Sequence, residues 1–207
     1  MKMRLRKNVV KILILGVLLW TGSAAAETRI LFLGDSITAG LGVEKEQAYP
    51  HLVGKALRLK GYEDVTIINA GISGSTTASA LSRLQWHTRM RPDILVLALG
   101  ANDGLRGLST REMKTNLDAT IQYALDQGIK VILAGMELPP NYGAEFARAF
   151  RAVFKDLAQK HPIGFMPFLL KDVGGVARLN QPDGIHPNPD GHEIIARNIL
   201  THILENL

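Results

Sequence analysis

Five short apolar runs punctuate the chain, and their continuity limits the possible folds. Runs rich in Ile, Leu and Val occur at Arg29–Leu33, Val65–Asn69, Ile94–Leu99, Lys130–Gly135 and Gly164–Phe168. A strand with one wet face alternates apolar and polar residues. Runs without that alternation suit strands buried on both faces. Between them lie segments with helical periodicity, at about 50–60, 75–90, 110–127, 144–160 and 188–206. Ser109-x-x-Glu112 reads as a capping box opening the third of these, and Gly128 as its stop. Strands alternating with helices predict an α/β fold, a parallel sheet covered on both faces. Right-handed crossovers narrow this to a doubly wound three-layer sandwich, in which ligands bind outside the carboxyl ends of the strands.

The N-terminus carries a different signal. Residues 1–26 hold Lys2, Arg4, Arg6, Lys7 and Lys11 and no acid, then an apolar run from Ile12 to Trp20, then Ala24-Ala25-Ala26. A basic start, a short apolar middle and a small-residue end are the parts of a secretory signal peptide. The expected division is a signal peptide at 1–26 and one domain at 27–207, with an uncleaved anchor as the alternative. Export to the periplasm or beyond follows, with no stable membrane anchor after cleavage. Removing the segment takes five of the 24 Lys and Arg residues and leaves 19 against 19 Asp and Glu. The basic excess of the whole chain is therefore targeting information, and nucleic acid is not an expected partner. The 207 residues include no cysteine, which excludes disulfides, thiol nucleophiles and Cys-ligated metals.

Polar, glycine-rich turns follow the first three apolar runs: Gly34-Asp35-Ser36, Gly71-Ile72-Ser73-Gly74 and Gly100-Ala101-Asn102-Asp103. A fourth, Asp183-Gly184-Ile185-His186-Pro187, lies after the fifth run. In a parallel sheet all four reach one rim. The stretch GDSITAGLG (34–42) is not a phosphate loop, because Leu41 stands where that loop needs lysine. Ser36 alone would read as a turn cap. Asp183 and His186 change that reading, because a serine hydroxyl needs a base, and the base needs an orienting carboxylate. Ser36 is the candidate nucleophile, His186 the base and Asp183 its partner. There is no G-x-S-x-G elbow around Ser36. Backbone N–H groups of Ser36 and Gly74 and the Asn102 amide are the candidate oxyanion donors. His192 is a rival base, but it lacks the D-x-x-H arrangement. His51, His87, His161 and His202 read as packing or solvent residues, and Asp35 and Asp103 as residues that hold the turns. A metal at Asp183 and His186 is not expected, since no second ligand pair accompanies them. Leu105, Leu108, Leu138 and Tyr142 are candidates for lining an acyl groove.

GDSIT, the Gly74 turn, GAND and DGIH match in order the four blocks of the SGNH hydrolases, also called the GDSL esterase/lipase family. The resemblance runs from about Arg29 to the last helix. NAGISG, GANDGLRG, ELPPNYG and NQPDGIHPNPDGH resemble a branch of bacterial thioesterases, lysophospholipases and arylesterases. The resemblance implies a flavodoxin-like, five-stranded parallel sheet and a serine esterase that needs no cofactor. It also implies Ser36, His186 and Asp183 as the catalytic set, and Ser36, Gly74 and Asn102 as the oxyanion hole. Ile37 stands where the family name has Leu. The expected substrates are acyl esters, aryl esters, thioesters or lysophospholipids, acted on by a monomer or small homo-oligomer. A carbohydrate acetylesterase and a non-catalytic exported binding module are the alternative functions.

Overall fold

The computed structural model describes residues 27–207, so the signal peptide expected at 1–26 lies outside the described residues. Five strands form one sheet: β1 (Thr28–Gly34), β2 (Val65–Gly71), β3 (Ile94–Ala98), β4 (Lys130–Ala134) and β5 (Gly164–Met166). All pair in parallel, in the order β2-β1-β3-β4-β5. This is the flavodoxin-like doubly wound order. The central strands β1, β3 and β4 are buried almost throughout, as their unbroken apolar runs require. β2 corrects the expectation of burial on both faces: it is an edge strand, and Thr66 and Asn69 are exposed. β5 ends at Met166 rather than Phe168, because Pro167 has no N–H to give the ladder.

The helices are α1 (Ser36–Ala39), α2 (Tyr49–Leu59), α3 (Ala80–His87), α4 (Ala101–Leu105), α5 (Thr110–Asp126), α6 (Ala144–Lys160) and α7 (Pro189–Leu204). α2 and α7 pack together on one face of the sheet, and α3, α5 and α6 on the other. The cause is spacing. Tyr49, Val53 and Leu57 recur every four residues on α2, as do Ile195, Ile199 and Ile203 on α7, and all six are buried. Phe150 and Phe154 meet edge to face on α6, with ring centroids 5.4 Å apart. The helix expected at 75–90 is α3 flanked by a single 3-10 turn at each end, Thr77–Ser79 and Thr88–Met90. Ser109 caps α5 by accepting from the Glu112 N–H at 3.3 Å, and Gly128 follows its end at φ 73°.

The sheet order puts the reversal of winding between β1 and β3. From β1 the chain crosses to β2 on one side, then returns past β1 to β3 on the other. β1 and β3 run into α1 and α4 at this reversal, where a doubly wound sheet places its ligands. α1 is wedged against the end of β2, and a Cβ on Gly71 would overlap the backbone of Thr38 and Ala39. Gly71→Ala is therefore expected to destabilise the protein by about 2–3 kcal/mol and lower Tm by roughly 5–10 °C, measured by thermal unfolding. An unchanged Tm would contradict this close approach.

Candidate active site

β1 delivers Gly34, and the chain turns at once into α1. The Asp35 carboxylate caps that helix by accepting from the Ile37 N–H at 3.1 Å. Ser36, 8% exposed, sits at the first position of the helix. The turn is pinned from several sides. The Thr38 hydroxyl bonds the Tyr49 hydroxyl at 2.9 Å, and the Asn69 amide donates to the Thr38 carbonyl at 2.9 Å. The Arg83 guanidinium donates to the Gly34 carbonyl at 2.9 Å and also to that of Ala70, joining the ends of β1 and β2. Burial pushes the Asp35 carboxyl up to about 6, against the pull of the Ile37 N–H, His186 and Arg83.

His186 reaches this turn from across the molecule. Its Nε2 lies 2.9 Å from Ser36 Oγ, and its Nδ1 lies 2.7 Å from Asp183 Oδ2. The other Asp183 oxygen accepts from the backbone N–H groups of His186, at 3.0 Å, and Ile185, at 2.9 Å. Those bonds, with the one from the His186 ring, hold the Asp183 carboxyl down at about 2, so it is ionised at neutral pH. A carboxylate at Nδ1 assigns the ring proton to that nitrogen. Nε2 is then an acceptor aimed at the Ser36 hydroxyl. Three residues that the sequence could only nominate stand in one hydrogen-bonded line.

The loop that carries His186 is itself tied down. Gln181 Nε2 donates to the Leu41 carbonyl at 2.7 Å and to the Pro187 carbonyl at 3.0 Å, and its backbone N–H donates to the His186 carbonyl at 2.8 Å. Gln181 thus connects the nucleophile loop to the histidine loop. Sequence reasoning missed it, because an isolated glutamine carries no pattern.

On the other side of Ser36, Gly74 adopts φ 77°, a conformation open to glycine without strain. Asn102 lies on α4, a helix too short to show a sequence period. One amide hydrogen of Asn102 donates to the Ser75 carbonyl at 3.1 Å, which fixes the side chain and leaves its second N–H. Asp103, nearly buried, accepts from the Thr77 N–H at 2.9 Å and its hydroxyl at 2.6 Å, and so fastens the loop after Gly74 to α4. Asp35 and Asp103 therefore both hold turns, as expected. Arg106, which the sequence reading passed over, joins the same two blocks. Its backbone N–H donates to the Asn102 carbonyl at 3.2 Å and its Nη2 to the Gly74 carbonyl at 2.9 Å.

The groove candidates divide. The Tyr142 hydroxyl donates to the Leu105 carbonyl at 3.2 Å, linking the loop after β4 to the end of α4. Leu138 packs against the core, and Leu108 is exposed. Leu41, Ile72 and Ile185 are also exposed, on the loops that carry Ser36, Gly74 and His186. His192 is no rival base. It is 1% exposed, stacked on Tyr49 at 6.2 Å between ring centroids, and its Nδ1 accepts from the Tyr49 N–H at 3.3 Å. His161 is likewise a structural residue, bonded to Asp118 at 2.6 Å.

With this geometry in view, the comparisons assign the class. Residues 32–194 match the GDSL-like Lipase/Acylhydrolase family. The chain belongs to that family and is a serine hydrolase of the esterase class. It is 42% identical over 174 residues to esterase TesA of Pseudomonas aeruginosa, covering 84% of this chain and 86% of that protein. It is 34% identical over 181 residues to thioesterase 1/protease 1/lysophospholipase L1 of Escherichia coli K12, covering 87% and 85%. A crystal structure of TesA superposes with a TM-score of 0.84 at 38% identity, covering 87% of this chain and all of that one.

Burial holds His192 neutral, with its pKa lowered to about 4 from 6.5. The unfolded chain takes up this proton as pH falls through 6.5, and the native state does so only near 4. Stability present at neutral pH is therefore lost between those values. Asp35, raised to about 6, works in the opposite direction over part of the same window. His192→Asn keeps an acceptor for Tyr49 and removes the titration. Urea unfolding at pH 7.5 and 4.5 should find that the variant loses about 2–3 kcal/mol less than the parent on acidification. An identical pH dependence would contradict this assignment.

Proposed function

We propose that Ser36 attacks the carbonyl carbon of an acyl ester or thioester while His186 Nε2 takes its proton. The new O–C bond converts the carbonyl to a tetrahedral oxyanion, held by the Ser36 and Gly74 N–H groups and the free N–H of Asn102. Asp183 keeps the ring proton on Nδ1 and stabilises the imidazolium that forms. The oxyanion collapses, the bond to the leaving oxygen or sulfur breaks, and His186 gives its proton to the departing alcohol or thiol. Water then attacks the acyl-serine, losing its proton to His186. Collapse of the second tetrahedral species releases the carboxylic acid, and the proton returns to Ser36. The observation that carries this reading is the hydrogen-bonded line of Asp183, His186 and Ser36, with separations of 2.7 and 2.9 Å.

The substrates we propose are acyl esters, thioesters and lysophospholipids of moderate size. Exposed Leu41, Ile72, Leu108 and Ile185 surround the site on its rim loops and suit an acyl chain better than a sugar. We further propose that the protein works after export, on the strength of the signal-like pattern at 1–26. Among the described residues no helix is long and apolar enough to cross a membrane.

Initial rates on p-nitrophenyl butyrate test the chemical assignment. Ser36→Ala and His186→Ala should each stay folded and lose at least about ten-thousand-fold in kcat. Asp183→Asn should lose a comparable factor, because an amide N–H at Nδ1 moves the ring proton to Nε2, which then cannot accept from Ser36. Full activity in Ser36→Ala would overturn the reading.

A further inference from the structure

Arg106 stands at the edge of the proposed oxyanion site with most of its donors unused. Its side chain is exposed, and Nη2 is fixed on the Gly74 carbonyl at 2.9 Å. A Cβ built on Gly74 would lie 3.4 Å from the same Nη2, so the guanidinium rests against Gly74 itself. Ordinary peptide dimensions then put the charge roughly 6 Å from the N–H that would hold the oxyanion. Among the described residues no carboxylate lies within 4.0 Å of this guanidinium. Arg83, the other guanidinium near the nucleophile turn, is half-buried and committed to the Gly34 and Ala70 carbonyls behind it. Arg29, Arg89 and Arg91 gather at the opposite, amino end of the sheet. Arg106 is thus a positioned cation with free fork donors, exposed and held against Gly74.

We propose that Arg106 selects substrates that carry a phosphate close to the scissile bond, on its alcohol side. This inference rests on the hydrolase reading above. The acyl chain is uncharged, so any anion that meets Arg106 must belong to the leaving part. A guanidinium fork matches phosphate oxygens in geometry and charge. Anchorage on Gly74 reduces the side-chain freedom lost when that pair forms. A glycerol-length spacer between ester and phosphate suits the short distance from Gly74. Lysophospholipids supply such a group, whereas the long pantetheine arm puts its phosphate far from the thioester. The group recognised is a phosphate one glycerol length from an acyl carbonyl.

Matched pairs of substrates test this. One pair is 1-acyl-lysophosphatidate and the monoacylglycerol of the same chain, both below their micellar concentrations. The other, a control whose phosphates lie far from the reacting carbonyl, is an acyl-coenzyme A and the acyl thioester of N-acetylcysteamine. The full chain and its Arg106→Met and Arg106→Lys variants are assayed for kcat/KM on all four. The parent should prefer the phosphate-bearing member of the first pair, and more weakly at high salt. Arg106→Met should reduce that preference about tenfold or more, and Arg106→Lys should restore part of it. Any loss through the Gly74 contact affects both members of a pair and cancels in the ratio. The second pair's ratio should be the same in the parent and Arg106→Met; a fall there as large as in the first pair would mean general charge attraction and overturn the short-range contact. Equal first-pair ratios in the parent and Arg106→Met would overturn the proposal and leave the hydrolase reading intact. No hydrolysis of any substrate by the parent would overturn both.

Discussion

A single hydrogen bond joins positions 150 apart: Ser36 Oγ to His186 Nε2 at 2.9 Å. A proton transfer needs that separation kept within a few tenths of an ångström, and loops do not hold such tolerance unaided. Here the sheet does most of the work. β1 carries Ser36 to the rim, and α7, packed on α2 across the same sheet face, anchors the loop that ends in Pro187. Gln181 closes the remaining gap by binding the carbonyls of both loops. The bridge from Asn180 to Pro187 makes the loop between them a closed hairpin. Within it Asp183 accepts two bonds from His186 and a third from the Ile185 N–H, so the base and its orienting group move as one unit.

Electrostatics around the serine turn is arranged in depth. Asp183, partly wet and bonded by two backbone N–H groups, stays ionised. Asp35, buried directly beside Ser36, is pushed up toward the neutral form, and the Ile37 N–H and Arg83 resist that push. Arg83 braces the carbonyl ends of β1 and β2 beneath the turn, although its Nε and Nη1 are buried without partners. Unpaired buried donors are destabilising.

Much of this was legible in the sequence. The unbroken runs Arg29–Leu33, Ile94–Leu99 and Lys130–Gly135 announced central parallel strands, and the glycine-rich turns after them announced the rim. Asp183 and His186 could be paired because they lie three residues apart, within reach of one turn. β2 was harder. Its Ile67-Ile68 core resembles a buried run, while its exposure depends on the sheet order, which no local pattern states. α1 and α4 escaped notice because four or five residues carry no helical period. Gln181, Arg106, Tyr49 and Thr77 gain their roles only from contacts made across the fold. The four blocks gave the identity of the chemistry, and long-range packing gave the groups that hold it in place.

The central claim is that Ser36 is activated by His186 as a nucleophile. Intact-mass and peptide analysis after exposure to an alkyl fluorophosphonate tests this most directly. The account predicts one adduct per chain, on Ser36, forming at least about a hundredfold more slowly in His186→Ala. A folded protein that takes no label, or takes it at the same rate without His186, would contradict it.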